Sequence, residues 1–151
     1  MVIMTAIDPP RGLAERLRDT RARLEADVDL WVASSGEARV HLIPLSYLWD
    51  GAALLVATPR DSLTSRNLLA DGRVRLGLGP TRDVVLVDGV AEPVEPDAAA
   101  CEAFAARTGF DPRAETQPYQ YFRIRPTRVQ AWREANELPG RTLMRDGHWL
   151  G

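Results

Sequence analysis

The chain predicts a mainly β single domain with flanking helices, on three observations. Its apolar residues alternate at period two through five long runs, at 39–49, 53–58, 73–79, 84–94 and 119–133. Those runs are separated by turn chemistry, including Asp50-Gly51 and Asp146-Gly147, dipeptides suited to the positive φ angles of tight hairpins. Only three stretches carry helical character, Arg11 to about Asp27, Ser62 to Asp71 and Asp97 to Thr108. At 151 residues the chain is expected to form one domain that buries roughly two-thirds of its unfolded surface.

Residues 1–10 form a loose lead-in. In the first helix Leu13, Leu17 and Leu24 share one stripe, with Arg16, Arg18, Arg21 and Arg23 mostly off it. That basic face is either plainly solvated or a wall of a ligand groove, and the solvated reading is the commoner one for charged helix faces. A short strand at 30–34 and a turn at Ser35-Gly36-Glu37 lead into the central hairpin. Its first strand is apolar on both faces, with Val40, Leu42 and Leu48 on one and Ile43, Leu45, Tyr47 and Trp49 on the other. One face can fill a core while the other covers a planar ligand or a second subunit. Pro44 lacks an N–H and favours an edge or bulged position.

After the second hairpin strand, Ser62 is a plausible N-cap for a short helix that Asp71-Gly72 ends. Val74, Leu76 and Leu78 then point inward from the next strand. Asp88-Gly89 marks a bulge in the strand 84–94, which lets one strand serve both halves of a barrel. The alanine-rich helix 97–108 offers Cys101, Phe104 and Ala105 as a small apolar face. Residues 108–118 form a loop suited to a lid or a dimer contact. Residues 119–124 and 128–133 form a closing strand pair, or one strand bent at Pro126.

Composition excludes several classes. Hydrophobic residues make up 45% and charged residues 26%, and the net charge of −2 gives no support to nucleic-acid binding. All 19 basic residues are arginine, a bias that discounts arginine counts as functional evidence. One cysteine and two scattered histidines provide neither an internal disulfide nor a usual zinc site. No apolar run approaches the roughly 20 residues that span a bilayer, so a cytoplasmic protein without membrane contact is expected. No Ser-His-Asp set, P-loop or GxGxxG pattern occurs, which assigns any hard chemistry to a bound redox cofactor.

The candidate site is an anion site. A helix start presents unpaired N–H groups and the positive end of a dipole, and here Arg60, Ser62, Thr64, Ser65 and Arg66 gather around it, with Asn67 one residue on. Taken singly, each has a bland reading as surface arginine, cap or packing residue. Their clustering at one strand-to-helix turn favours a phosphate.

The two hairpin strands and the threonine-to-serine turn resemble the flavin-binding core of the pyridoxamine 5′-phosphate oxidase-like superfamily, over about residues 27–149. The resemblance implies a six- to seven-stranded split β-barrel of the FMN-binding type, homodimeric, with FMN or the deazaflavin F-420 at the subunit interface. It places Arg39, Thr58 and Ser62 on the family's phosphate grip and lays His41, Ile43 and Pro44 beside the flavin ring. The family's turn arginine and lysine fall here on Leu63 and Thr64, so Arg60 or Arg66 must supply the positive charge. The family's Arg-x-His-x-Arg phrase becomes Arg141, Leu143 and Arg145, which weakens a vitamin B6 substrate. Those arginines, with Trp132, are candidates for contact with substrate or the partner subunit.

The implied function is a flavin-dependent oxidoreductase. It passes hydride between FMN or the deazaflavin, which the sequence leaves near parity, and a small conjugated or heterocyclic substrate. A non-catalytic protein that carries flavin or haem stands as the alternative, since no proton donor is recognisable.

Overall fold

The computed structural model describes residues 7–36 and 39–151. The helix α1 (Leu13–Ala26) is followed by β1 (Asp29–Ser34), β2 (His41–Trp49), β3 (Leu54–Pro59), α2 (Leu63–Ala70), β4 (Arg73–Leu78) and β5 (Val84–Val94). Then come α3 (Ala98–Thr108), β6 (Tyr119–Trp132), β7 (Thr142–Arg145) and β8 (His148–Trp149), with short 3-10 turns at Pro112–Ala114 and Ala135–Glu137. The strands join in the order β3-β2-β1-β4-β5-β6-β7-β8, and β3 also pairs with β6. That extra pairing closes a six-stranded antiparallel barrel and leaves β7 and β8 as an appended hairpin. The sequence-predicted barrel is therefore present, with eight strands among the described residues.

Alternation explains the closure. Val32, Leu54, Val56, Leu76, Val87, Phe122, Ile124 and Val129 all point inward and are fully buried. Of the two arrangements the sequence leaves open after residue 118, the structure has the single strand that continues through Pro126. Tyr119 to Ile124 serves β3, and residues beyond Pro126 serve the first half of β5. The register slips between Asp88 and Gly89, the bulge that the sequence marks. A Cβ at Gly89 would sit 2.7 Å from the Arg125 carbonyl oxygen, so only glycine permits this approach.

Each helix has a local cause and a separate seat. Ser62 caps α2 by accepting from the Ser65 N–H at 3.1 Å, and Asp97 caps α3 by accepting from Ala100 N–H at 2.8 Å. Beneath α3 lies a second small core of Ala57, Cys101, Phe104 and Tyr121, in which the last two rings meet edge to face. The thiol at Cys101 is buried there, as the sequence suggests. Burial also pushes the Tyr121 hydroxyl up to about 12.

The helix α1 departs from its expected pattern. Leu17 and Leu24 are buried, but Leu13 is exposed and Arg16 takes its place on the inner face. The Arg16 guanidinium donates to the Ala131, Glu137 and Arg11 carbonyls, three acceptors from three segments. Of the expected loose lead-in, residues 1–6 lie outside the described residues. Residues 7–10 have no regular structure, yet Asp8 accepts from Asn136, and Arg11 is buried in an ion pair with Glu137. The Glu37 position of the predicted turn also lies outside the described residues. Among the described residues no helix is long and apolar enough to cross a membrane.

Candidate functional site

The two ends of the barrel differ in chemistry. β1 and β4 pair antiparallel, and Ser34, Arg73 and Val90 mark the end that carries α2. α1 covers the other end, where Arg23 bonds Asp83 and a Cβ at Gly79 would touch the Arg23 guanidinium. α1 is therefore no wall of the α2 site within one chain. Its arginines are occupied locally: Arg23 pairs with Asp27 and Asp83, and Arg21 stacks over Trp149 at 4.9 Å. This is the solvated or structural reading of that basic face.

At the α2 end, β3 runs out in Thr58, whose Oγ1 lies 3.0 Å from Ser62 Oγ. Because Ser62 Oγ already accepts the Ser65 N–H, the hydroxyl pair shares one proton between them and has another to offer. Beyond it, the first-turn N–H groups of α2 add the positive end of the helix dipole. Arg60 and Arg66 flank the turn and are exposed. Thr64 and Ser65 are buried, and Ser65 Oγ, fully buried, has no hydrogen-bond partner. A buried hydroxyl left without a partner is costly. With the spare hydroxyl hydrogen and the first-turn N–H groups beside it, the residues present fit an anionic group.

Asn67 ties this helix to the central strand. Its Nδ2 donates to Ser34 Oγ at 3.3 Å and to the Arg39 carbonyl at 3.4 Å. Close contact here also requires glycine: a Cβ at Gly36 would lie 2.1 Å from the Asn67 carbonyl oxygen. The start of β2 is thereby held against α2 through the Arg39 carbonyl. Arg39 is exposed, His41 and Ile43 are half-buried on the inner side of β2, and Pro44 is exposed opposite Trp31. Pro44 sits in unbroken register opposite Trp31 rather than at a bulge, but β2 pairs with β3 only over Tyr47–Trp49, so Pro44 stands on a stretch of local strand edge, the other position its missing N–H favours.

The tail residues lie elsewhere. Trp132 ends β6 opposite Val84, and the Arg141 carbonyl accepts from Ala131 N–H, both at the α1 end. Arg141 also donates to the Leu138 carbonyl, and its Nε faces the Gln130 side-chain oxygen at 3.2 Å. Arg145 is exposed beside the hairpin turn formed by Asp146 and Gly147, both at positive φ. Within one chain neither Trp132 nor Arg141 joins the α2 site.

One feature escaped sequence reasoning. The outer face of β1, β4 and β5 holds a cavity of about 640 Å³ beside Val40, lined in part by two arginines and two aspartates. Its signal was present in the alternation Asp71, Arg73, Arg75, but the partner Asp88 comes from the next strand and only the register reveals it. Among the described residues no cluster of three or more metal-ligating side chains occurs.

Comparison with known proteins agrees with this fold. The family model for pyridoxamine 5′-phosphate oxidase matches residues 18–133. No curated protein matches. Among solved structures, a FAD-binding protein from Mesorhizobium loti is 20% identical, with a TM-score of 0.61 over 75% of this chain and 89% of that one. A protein related to general stress protein 26, of the pyridoxinephosphate oxidase family, from Clostridium acetobutylicum is 15% identical, with a TM-score of 0.64 over 80% and 89%. An F-420 reductase is 19% identical, with a TM-score of 0.61 over 72% and 94%. At these identities the likeness is one of fold.

Proposed function

The chain belongs to the pyridoxamine 5′-phosphate oxidase family, and on that premise we propose that it is a flavin-dependent oxidoreductase whose cofactor phosphate is held at the start of α2. The observation that carries the proposal is the Thr58–Ser62 hydroxyl pair at a helix N-terminus, beside a buried Ser65 hydroxyl that lacks a partner. FMN and the deazaflavin F-420 both carry a phosphate on the chain that leaves the ring, and both suit this grip. The chemistry such a cofactor supplies when bound is hydride exchange with a small conjugated or heterocyclic molecule.

The protein residues bind and orient. The Thr58–Ser62 hydroxyl pair donates its one spare hydrogen to a phosphate oxygen, the first-turn N–H groups of α2 add two more donors, and Arg39, Arg60 and Arg66 supply the positive charge that Leu63 and Thr64 lack. Asn67 positions rather than binds, by holding β2 against α2. Arg39 to Pro44 then offers one strand edge along the ring, with His41 and Ile43 as its side-chain contacts. Arg141 and Trp132 serve the site from the partner subunit, since in their own chain they stand at the far end of the barrel.

The test is a parallel titration of cofactor-stripped protein with FMN and with the deazaflavin, followed by fluorescence and absorbance. Binding at micromolar strength or tighter by one of them is expected, weakened roughly tenfold or more in an Arg60→Ala, Arg66→Ala double variant. Failure to bind either cofactor overturns the proposal. Tight binding without consumption of reduced cofactor by any acceptor assigns the protein to carriage instead.

A further inference from the structure

The outer cavity beside Val40 is unusual in how its charges are arranged. Arg73 donates Nε and Nη2 to the Asp71 carboxylate, the shorter contact at 2.7 Å, and Arg75 donates Nε and Nη2 to Asp88 at 2.6 and 3.1 Å. Each guanidinium thus meets a carboxylate with the two-pronged edge that it would turn toward a phosphate. The four side chains line one space of about 640 Å³ and sum to zero charge. Asp71 is pulled down to about 2 by its hydrogen bond from Arg73, so it stays ionised at neutral pH. The rest of the wall is largely apolar, from Val40, Val74 and Val90, and the cavity is large enough for a bicyclic aromatic.

The cavity also adjoins the proposed cofactor strand. Val40 lies between Arg39 and His41, and Ser34, which lines the cavity, is the hydroxyl that Asn67 of α2 holds. A substrate seated here lies next to whatever β2 holds.

We infer that this cavity is the substrate pocket, that it selects an uncharged, mainly apolar ring compound over a phosphorylated one, and that Asp71 and Asp88 determine that selection by occupying Arg73 and Arg75. This rests on the proposed role of β2 as the cofactor-lining strand. With Nε and Nη2 of each arginine taken up by a carboxylate, an anionic substrate meets only the remaining Nη1 edge beside that carboxylate's negative charge, which costs affinity. An uncharged ring leaves both pairs in place and covers the valines.

The experiment uses two fluorescent probes that differ only in a phosphate, 1-naphthol and 1-naphthyl phosphate, titrated at neutral pH and low salt. Wild-type protein is expected to bind 1-naphthol at least tenfold more tightly. Asp88→Asn leaves the Asp71–Arg73 turn untouched and releases Arg75, and should shift the preference toward the phosphate by tenfold or more. Adding Arg75→Gln to Asp88→Asn should cancel that shift. Val90→Trp narrows the space and should weaken 1-naphthol binding in proportion. Equal or tighter binding of the phosphate by wild type, an unchanged preference in Asp88→Asn, or full 1-naphthol affinity in Val90→Trp each overturns the inference. Flavin affinity measured on the same preparations separates the two proposals: its absence with probe selection intact sinks the cofactor reading and leaves the selection standing.

Discussion

At the residue scale, the most consequential side chain outside the site is Glu137. It is 2% exposed and accepts from Arg11 Nε and Nη2, from the Arg11 N–H and from the Arg133 N–H, all between 2.8 and 2.9 Å. The hydrogen bond from Arg11 holds its carboxyl down at about 2, from an ordinary 4.5. In the other direction the same pair raises the Arg11 guanidinium. A carboxyl depressed by folding contributes stability that is present above its unfolded pKa and is lost as pH falls through its folded pKa. The window is therefore about pH 4.5 down to about 2, and the contribution at neutral pH is about 3 kcal/mol. Glu137→Gln should lower urea stability at pH 7 by about that amount, and its deficit against wild type should shrink steadily between pH 4.5 and 2. A deficit that stays constant across that range disproves the assignment. Nothing in the sequence marks this pair, because 126 residues separate its members and both look like ordinary surface charges.

At the element scale, α2 does two jobs at its first turn, and one position separates them. Ser62→Ala removes the cap and should cost about 1 kcal/mol of stability together with phosphate affinity. Ser62→Asp retains an oxygen for the Ser65 N–H and suits the helix dipole, yet sets a negative charge where the phosphate belongs. Thermal unfolding of the aspartate variant should match wild type while its flavin affinity falls at least tenfold; unchanged affinity would mean that the turn binds no phosphate. The elements themselves were largely legible. Period-two alternation, the cap at Ser62 and the glycine at the bulge are local signals, and local signals survive in a sequence. The α1 stripe was misread for a physical reason: Arg16 turns inward and donates both Nη atoms to three backbone carbonyls, an arrangement that no hydrophobic pattern announces. Likewise β6 gave two readings at Pro126, because a bent strand and a hairpin have the same alternation until pairing partners are known.

At the scale of the whole molecule, the barrel leaves one face unexplained by its own packing. Trp31, Val40 and Leu42 are 53%, 78% and 59% exposed, and Pro44 is exposed between them on the outer side of β1 and β2. Large apolar side chains gathered on one sheet face mark an association surface. The sequence already showed β2 to be apolar on both sides, but which side was spare depended on the closed barrel. Position adds a second argument: α2 and the pair Trp132–Arg141 occupy opposite ends of the same sheet. An isologous contact across this face, with strands of the two copies running in opposite directions, brings the partner's Trp132 and the partner's Arg141 toward the α2 end of the first chain. If two copies pair through this face, Leu42→Arg places a charge in the middle of the contact, and sedimentation should show a dimer for wild type and a monomer for the variant. If the site is shared, flavin affinity falls in step with the dimer fraction and recovers at high protein concentration. A monomer that keeps full affinity confines the site to one chain, and a dimer unmoved by the substitution places the contact on another face.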